Sequence, residues 1–161
     1  MADAADAIRL LVLPLDGPSA LVPTALVAEV TAYGAPEVLR EGPDWLTGFI
    51  HWRGQRVPLV SLQHALGRGR DVERVGRQRS LVVFHAMTRD PDLPYYAVVT
   101  AAPPHPTMAR EAGLSHRGRG AEPYGWCRVE LDGGGMVEIP DLERLEGDLA
   151  EVLRTLGATS A

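Results

Sequence analysis

The sequence contains no lysine, and arginine supplies all sixteen of its Lys and Arg residues. Arginine carries a rigid guanidinium fork that suits carboxylate and phosphate partners, but a compositional bias explains the same count without any ligand. Cysteine is almost absent too. The one cysteine, Cys127, has no second cysteine with which to form an internal disulfide, so nothing in the sequence points to an oxidising compartment.

Long apolar runs are missing as well. No run approaches the ~20 residues that a membrane-spanning helix needs, and the N-terminal stretch MADAADAIRL carries acids where a signal peptide carries basic residues. With 45% hydrophobic residues and a formal net charge of −5, the composition argues against disorder and against nucleic-acid binding through bulk charge. We therefore expect a cytoplasmic protein whose 161 residues form one domain, or two small subdomains that share a core.

Short apolar runs broken by Gly, Pro and Asp dominate the chain, which predicts small β-barrels or a sandwich rather than an α/β sheet. The runs of strand length are residues 8–15, 20–23, 28–33, 80–87, 95–102, 126–131 and 136–139. The last two flank DGGG and predict a closing hairpin. The stretches predicted to be connections or loops are residues 34–43, 67–79, 103–106 and 113–125.

Residues 45–62, WLTGFIHWRGQRVPLVSL, predict a second hairpin. Its arms would be Phe49–Arg53 and Arg56–Val60, joined by Gly54-Gln55 in a type II′ turn, which needs glycine at its first central position. Pro58 cannot donate a ladder hydrogen bond, so its arm is predicted to be an edge strand or to face a gap in pairing.

Two helices are predicted. Residues 62–67, LQHALG, fit one helical turn closed by Gly67. Residues 140–157 fit a long amphipathic helix that starts at Pro140-Asp141 and stops at Gly157. Leucine and valine recur on one face of it at helical spacing, at positions 142, 145, 149, 152, 153 and 156. This face would dock on the core or, alternatively, bind a partner.

The residues that usually carry catalysis show no productive spacing. The five histidines lack zinc-site spacing: His51, His64, His85, His105 and His116. His85 falls inside an apolar strand and is interpreted as structural, although a metal site assembled across the fold stays open. Cys127 is interpreted as a small buried residue, since a nucleophile would need a base such as His105 or His116 beside it. No serine lies in a G-x-S-x-G elbow. We expect no enzyme, no cofactor and no metal.

Two arginine-rich loops, GRGR at 67–70 and RGRG at 117–120, raise the alternative of a small-barrel nucleic-acid-binding protein. Asp71 and Glu73 interrupt the basic run that starts with the first tract, and neither loop has an interleaved aromatic residue for base stacking. The hairpin arginines are a stronger candidate site. With a two-residue loop, Arg53 and Arg56 would face each other across the hairpin at a cost of ~0.2–1 kcal/mol. That repulsion is relieved by solvent, by Glu29, or by a carboxylate of a partner.

The same hairpin carries a resemblance to a known family. WLTGFIHWRGQRVPLVSLQHALG, at residues 45–67, is similar to the central signature of CheW-like domains. ALVPTALVAEV upstream, YYAVVTAA downstream and the closing GWCRVELDGGGMVEIPDLERL resemble further family segments in the right order. The resemblance implies two small five-stranded SH3-like β-barrels packed together, with a C-terminal helix, as a single domain over residues 8–157. Residues 1–7 and 158–161 would then be flexible termini.

The resemblance also implies a role without catalysis. CheW-like proteins are adaptors that link methyl-accepting chemoreceptors to the histidine kinase CheA. Arg53 matches the arginine of the family's LRG turn, which is implicated in receptor coupling. Gly54 matches its glycine, Pro58 the proline of VPV, and Glu29 the acid of V-EV. Trp52 beside Arg53 adds an aromatic anchor of the kind that protein interfaces favour.

Some positions depart from the family pattern. Ser61 replaces the usual aspartate, Gln63 a common arginine, and Glu138-Ile139-Pro140 the closing ILD. Such departures favour a divergent member, such as those of chemosensory systems that control type IV pili and twitching motility. A divergent regulator that no longer couples receptor to kinase is the remaining alternative.

Overall fold

A computed structural model describes residues 6–68, 78–110, 113–133 and 135–159. Within these ranges the chain forms twelve β-strands and two α-helices. The strands in chain order are β1 (Ile8–Leu13), β2 (Ser19–Pro23), β3 (Val27–Ala32), β4 (Glu37–Val38), β5 (Leu46–Trp52), β6 (Gln55–Val60), β7 (Ser80–His85), β8 (Tyr95–Thr100), β9 (His105–Ala109), β10 (Leu114–Arg119), β11 (Gly125–Leu131) and β12 (Gly135–Pro140). The helices are α1 (Leu62–Ala65) and α2 (Leu142–Thr159). None of the helices in these ranges is long and apolar enough to span a membrane.

The strands form two six-stranded sheets, in the orders β10-β11-β12-β2-β1-β9 and β3-β7-β8-β6-β5-β4. The chain starts in the first sheet, builds the second sheet from the contiguous strands β3 to β8, and returns to complete the first. Strand β12 completes the first sheet by pairing in parallel with β2. The predicted mainly β fold with two packed β units and a terminal helix is confirmed, with one more strand in each sheet than the five expected.

Successive side chains of β1 and β7 point alternately into two different cores, which explains why the sequences of these strands are continuous apolar runs. Leu10 and Val12 of β1 point into the interior of the first sheet, whereas Leu11 and Leu13 join a larger core that connects the sheets with α2. On β7, Val83 faces the interior of the second sheet, and its neighbours on either side face the shared core. Because successive side chains of a strand point to opposite faces, a strand between two cores has no polar face.

Helix α2 docks on this shared core, as its leucine pattern predicts. Leu145 and Leu149 are fully buried, and the later apolar residues of the same face pack against the core with part of their surface exposed. At the start, the Asp141 carboxylate accepts the backbone N–H of Arg144 at 3.1 Å, as an N-cap residue does. Gly157 does not end the helix, which continues to Thr159 through the first two residues of the expected flexible C-terminus.

The segments 103–106 and 113–125 were predicted to be loops, and the structure corrects this: they contribute to β9 and β10. Both strands lie at the edges of the first sheet. Edge strands bury little of their surface, so β10 shows no alternation of apolar and polar residues that a sequence pattern could reveal. The tract RGRG therefore belongs largely to a strand, and Arg117 pairs with Glu130 at 2.8 Å across to β11.

A largely buried ion pair ties the segment that follows α1 to the first sheet. Arg68 donates to the Glu138 carboxylate of β12 at 3.0 Å and to the Pro18 carbonyl at 2.6 Å. The other oxygen of Glu138 accepts the backbone N–H of Ala121. The side chain of Arg68 is only 16% exposed, so this residue of the predicted solvated loop is largely buried. The rest of that loop, residues 69–77, lies outside the described residues.

A second buried carboxylate ties α2 to the connection between β7 and β8. Glu146 is fully buried, and one of its oxygens accepts the backbone N–H groups of Met87 and Thr88 at 2.8 and 3.0 Å. Its other oxygen and the buried hydroxyl of Tyr96 interact with each other, although no hydrogen bond of ordinary geometry joins them. Burial raises the pKa of Glu146 above its usual value, and the charge of Glu143 adds to this, although the two N–H donors and the Tyr96 hydroxyl oppose it.

A pH dependence of stability follows from the raised pKa of Glu146. At a pH below its usual pKa, Glu146 is protonated in both the folded and the unfolded state, so its titration does not change the free energy of unfolding. As the pH rises toward the folded pKa, the unfolded state loses the proton first, so the folded state loses stability. We expect Glu146→Gln to gain stability relative to wild type across this window in urea unfolding from pH 4.5 to 8, with a plateau above it. Glu151→Gln, on the exposed face of α2, should follow wild type. Parallel curves for wild type and Glu146→Gln would contradict the assignment.

Candidate functional site

The turn between β5 and β6 differs from the predicted one by one residue. Arg53 and Gly54 are its central residues, with φ angles of 48° and 75°. Positive φ at both central positions is the requirement of a type I′ turn, whose twist matches the flanking strands. The predicted type II′ turn at Gly54-Gln55 is therefore wrong. The register shift places Gln55 opposite Trp52 and His51 opposite Arg56, so Arg53 and Arg56 do not face each other.

Arg53 is held at the tip of the turn by two neighbours. Its Nε lies 3.7 Å from the Glu29 carboxylate on β3, and its guanidinium lies 4.7 Å from the centre of the Trp52 ring. The indole N–H of Trp52 donates to the same Glu29 oxygen. Left-handed backbone is uncommon for a residue with a side chain, so these contacts stabilise an Arg53 conformation that the local sequence does not favour. We call these three residues the Glu29–Trp52–Arg53 cluster.

The members of this cluster differ in exposure. The side chain of Arg53 is 66% exposed and that of Glu29 37%, whereas Trp52 as a whole is 8% exposed. The Trp52 ring packs edge-on against Tyr95, with 4.9 Å between ring centres, and closes one end of the apolar interior of the second sheet. Glu29, one of the candidate partners named for Arg53, lies within ion-pair distance of it. Trp52 supports the surface from below instead of projecting from it.

Pro58 fits one of the two environments predicted for it. Its strand, β6, is an interior strand between β5 and β8, and Pro58 itself is buried. The alternative of an edge strand is therefore wrong, because the edges of this sheet are β3 and β4, whereas the alternative of a gap in pairing is confirmed. The paired residues of β6 and β8 start at Leu59, so Pro58 precedes that ladder and its missing N–H costs no hydrogen bond there. Gly54 is exposed, and space around its Cα is open.

Arg56 belongs to a neighbouring groove that the sequence did not reveal. It pairs with Glu37 at 2.9 Å and lies 3.6 Å from the centre of the Phe49 ring. The groove, of about 470 Å³, runs between this hairpin and α2. Its far rim carries a second ion pair, Arg154 with Asp90 at 3.0 Å. Sequence reasoning missed the groove because no local pattern indicates that α2 passes beside β5.

The two departures from the family pattern near α1 have internal roles. The Ser61 hydroxyl accepts the backbone N–H of His64 as the N-cap of α1 and bonds the His64 ring at 2.9 Å. Gln63 is buried and bonds both backbone groups of Asp16. Serine and aspartate cap helices in the same way. These substitutions therefore concern how α1 is held and leave the Glu29–Trp52–Arg53 cluster unchanged.

The candidate catalytic groups are not assembled. Cys127 is buried, and burial raises the pKa of its thiol, which disfavours the nucleophilic thiolate. His85, interpreted as structural, is the last residue of β7, where it is exposed and its ring lies beside that of Tyr95. Among the described residues, no three His, Cys, Asp or Glu side chains are grouped to hold a metal ion.

The molecule is a two-sheet β domain with a terminal helix, and the Glu29–Trp52–Arg53 cluster lies at the turn between β5 and β6. A family model for the CheW-like domain matches residues 9–101, which is more than half of the chain. The chain therefore belongs to the CheW-like domain family. The match runs from β1 through the whole of β8 and thus includes the cluster.

A solved structure shares the fold beyond this range. The scaffolding protein TtCheW from Thermoanaerobacter tengcongensis is similar with a TM-score of 0.66 and 15% sequence identity, over 83% of this chain and 88% of that chain. Among curated proteins, none matches this sequence. At that identity the likeness concerns the fold alone. Because it covers 83% of this chain, it includes residues beyond the range that the family model matches.

Proposed function

We propose that this protein is a cytoplasmic, non-enzymatic adaptor in bacterial chemosensory signalling, which couples methyl-accepting chemoreceptors to a CheA-type histidine kinase. Membership of the CheW-like family supports the adaptor role. The observation that carries the proposal is the Glu29–Trp52–Arg53 cluster, which presents an exposed guanidinium on a rigid turn. A fixed arginine beside an aromatic ring is a typical anchor of protein interfaces.

Each predicted contact residue has a definite part in this proposal. Arg53 offers the charge, and a carboxylate of the partner would compete with Glu29 for it. Glu29 and Trp52 hold Arg53 in place, and Gly54 keeps the tip free of a side chain. Pro58 acts from inside, since it shapes the strand that carries the turn. The output that we assign to the adaptor is control of type IV pili and twitching motility, on the strength of its divergence from the usual family pattern.

The test is the substitution Arg53→Glu, with binding to the purified CheA-type kinase and to a chemoreceptor fragment of the same organism measured by calorimetry. Reversing the charge places two carboxylates together and repels an acidic partner, so we expect at least ~10-fold weaker binding, about 1.4 kcal/mol. The matched control is Arg89→Glu, an exposed arginine on the β7–β8 connection, which should bind as wild type does.

The fold of each variant is checked by thermal unfolding. An unfolded Arg53→Glu protein would show that Arg53 serves mainly as the internal partner of Glu29. Binding of a folded Arg53→Glu protein at wild-type strength would contradict the proposed site, and absence of wild-type binding to both partners would contradict the adaptor role. Retention of a nucleic acid instead, with a steep salt dependence, would support the alternative function.

A further inference from the structure

A pocket opens at the end of the second sheet opposite to Trp52. It lies where β3, β6 and β8 end and β7 begins, and it has a volume of about 310 Å³. Five polar side chains from four segments of the chain line it: Tyr33, Thr47, Ser61, His64 and Arg79. Its size reaches the lower limit of small-molecule sites, and ends of barrel-like sheets are common places for them.

The polar groups of this pocket have one sign of charge. The Arg79 guanidinium lies 4.0 Å from the centre of the Tyr33 ring, and none of the carboxylates described in the structure lies within ion-pair distance of it. Among the residues that the structure describes, those that line the pocket include no Asp or Glu. The His64 ring uses Nδ1 for its bond to Ser61, so its other nitrogen is left for a ligand. A fixed cation with hydroxyl and imidazole groups, and without an acid, favours an anion.

The floor of the pocket is apolar. Leu59 and Val99 line it, and both are core residues of the second sheet. An arginine that is stacked on an aromatic ring still offers the edge of its guanidinium, which matches a carboxylate with two parallel hydrogen bonds. A ligand with a carboxylate at one end and an apolar body at the other satisfies both the rim and the floor.

We infer that this pocket binds a small carboxylate with an apolar body, of the size of an aromatic or branched-chain acid. The inference does not rest on the adaptor role, because Arg53 and the pocket lie at opposite ends of β6. A strand of six residues separates them by roughly 20 Å. The adaptor would thus carry a ligand site away from its partner-binding turn.

The test uses benzoate as the probe, titrated against the full chain and followed by the amide signals of the protein in NMR. We expect saturable binding with shifts at residues 33, 61, 64 and 79. Benzamide, which lacks the charge, and acetate, which lacks the apolar body, should each bind at least ~10-fold more weakly. Arg79→Gln should weaken benzoate binding ~10- to 100-fold, the usual effect of losing a charge-assisted pair of hydrogen bonds.

Two further variants keep the result unambiguous. Arg89→Gln is the matched control and should bind benzoate as wild type does. Ala35→Trp, at an exposed position on the pocket rim, should block binding without touching a core residue. No saturable binding of benzoate by wild type up to about 10 mM, or equal affinity in Arg79→Gln, would overturn the inference. Equal affinity for acetate would overturn the part that concerns the apolar body.

Discussion

We expect Arg68→Ala to lower the free energy of unfolding by about 3–5 kcal/mol. The substitution leaves the Glu138 carboxylate, whose side chain is 1% exposed in the folded protein, without its cation. It also removes the donor to the Pro18 carbonyl. An uncompensated buried charge costs far more than an ion pair contributes, which is why the loss of one partner has this large effect.

Chemical denaturation measures this effect, and two variants isolate its cause. The double variant Arg68→Met with Glu138→Gln removes both charges and keeps an acceptor for the Ala121 N–H, so it should recover most of the lost stability. Arg117→Ala breaks an exposed ion pair with Glu130 and should cost at most ~1 kcal/mol. If the double variant is as unstable as Arg68→Ala, the buried charge is not the cause.

Leu149→Ala should lower the free energy of unfolding by about 2–5 kcal/mol. Leu149 has no exposed surface and lies in the shared core, where α2 meets strands of both sheets. Removing most of its side chain loses the free energy of transfer and leaves a cavity that neighbouring strands, fixed by their ladders, cannot fill by moving.

A matched control lies one helical turn further along the same helix. Leu153→Ala truncates the same side chain at a position that is only partly buried. It should cost less than half as much, with the same change in helix propensity. Equal losses for the two variants, again by chemical denaturation, would show that helix propensity rather than packing determines the effect.

Elements with a strong periodic signal could be predicted from the sequence. Leucines at helical spacing predict the buried face of α2. Continuous apolar runs predict β1 and β7, whose side chains are apolar on both faces because each strand lies between two cores. β9 and β10 could not be predicted, because as edge strands they bury little surface. Their existence depends on β1 and β11 being present beside them, which is not a local property.

The candidate site could be predicted in part. The predicted turn was wrong by one residue. The prediction placed Gly54 at the first central position because glycine readily adopts positive φ. In the structure Arg53 occupies that position, and its contacts with Glu29 and Trp52 hold it at positive φ. Glu29 was a named candidate partner of Arg53, but its bond with the Trp52 indole was not foreseen. That bond depends on how β3 is placed relative to β5, and no ladder joins those two strands.

The interrupted course of the chain through the first sheet has a consequence for synthesis on the ribosome. β1 and β2 emerge first, but four of the six strands of their sheet, β9 to β12, are the last to be made. The second sheet is encoded without interruption by residues 27–100 and has all its strands available earlier. The N-terminal hairpin therefore keeps apolar surface uncovered until its partners in the sheet, β9 and β12, have been made. The sheet that is started first is completed last, and its contacts are of the non-local kind that form slowly.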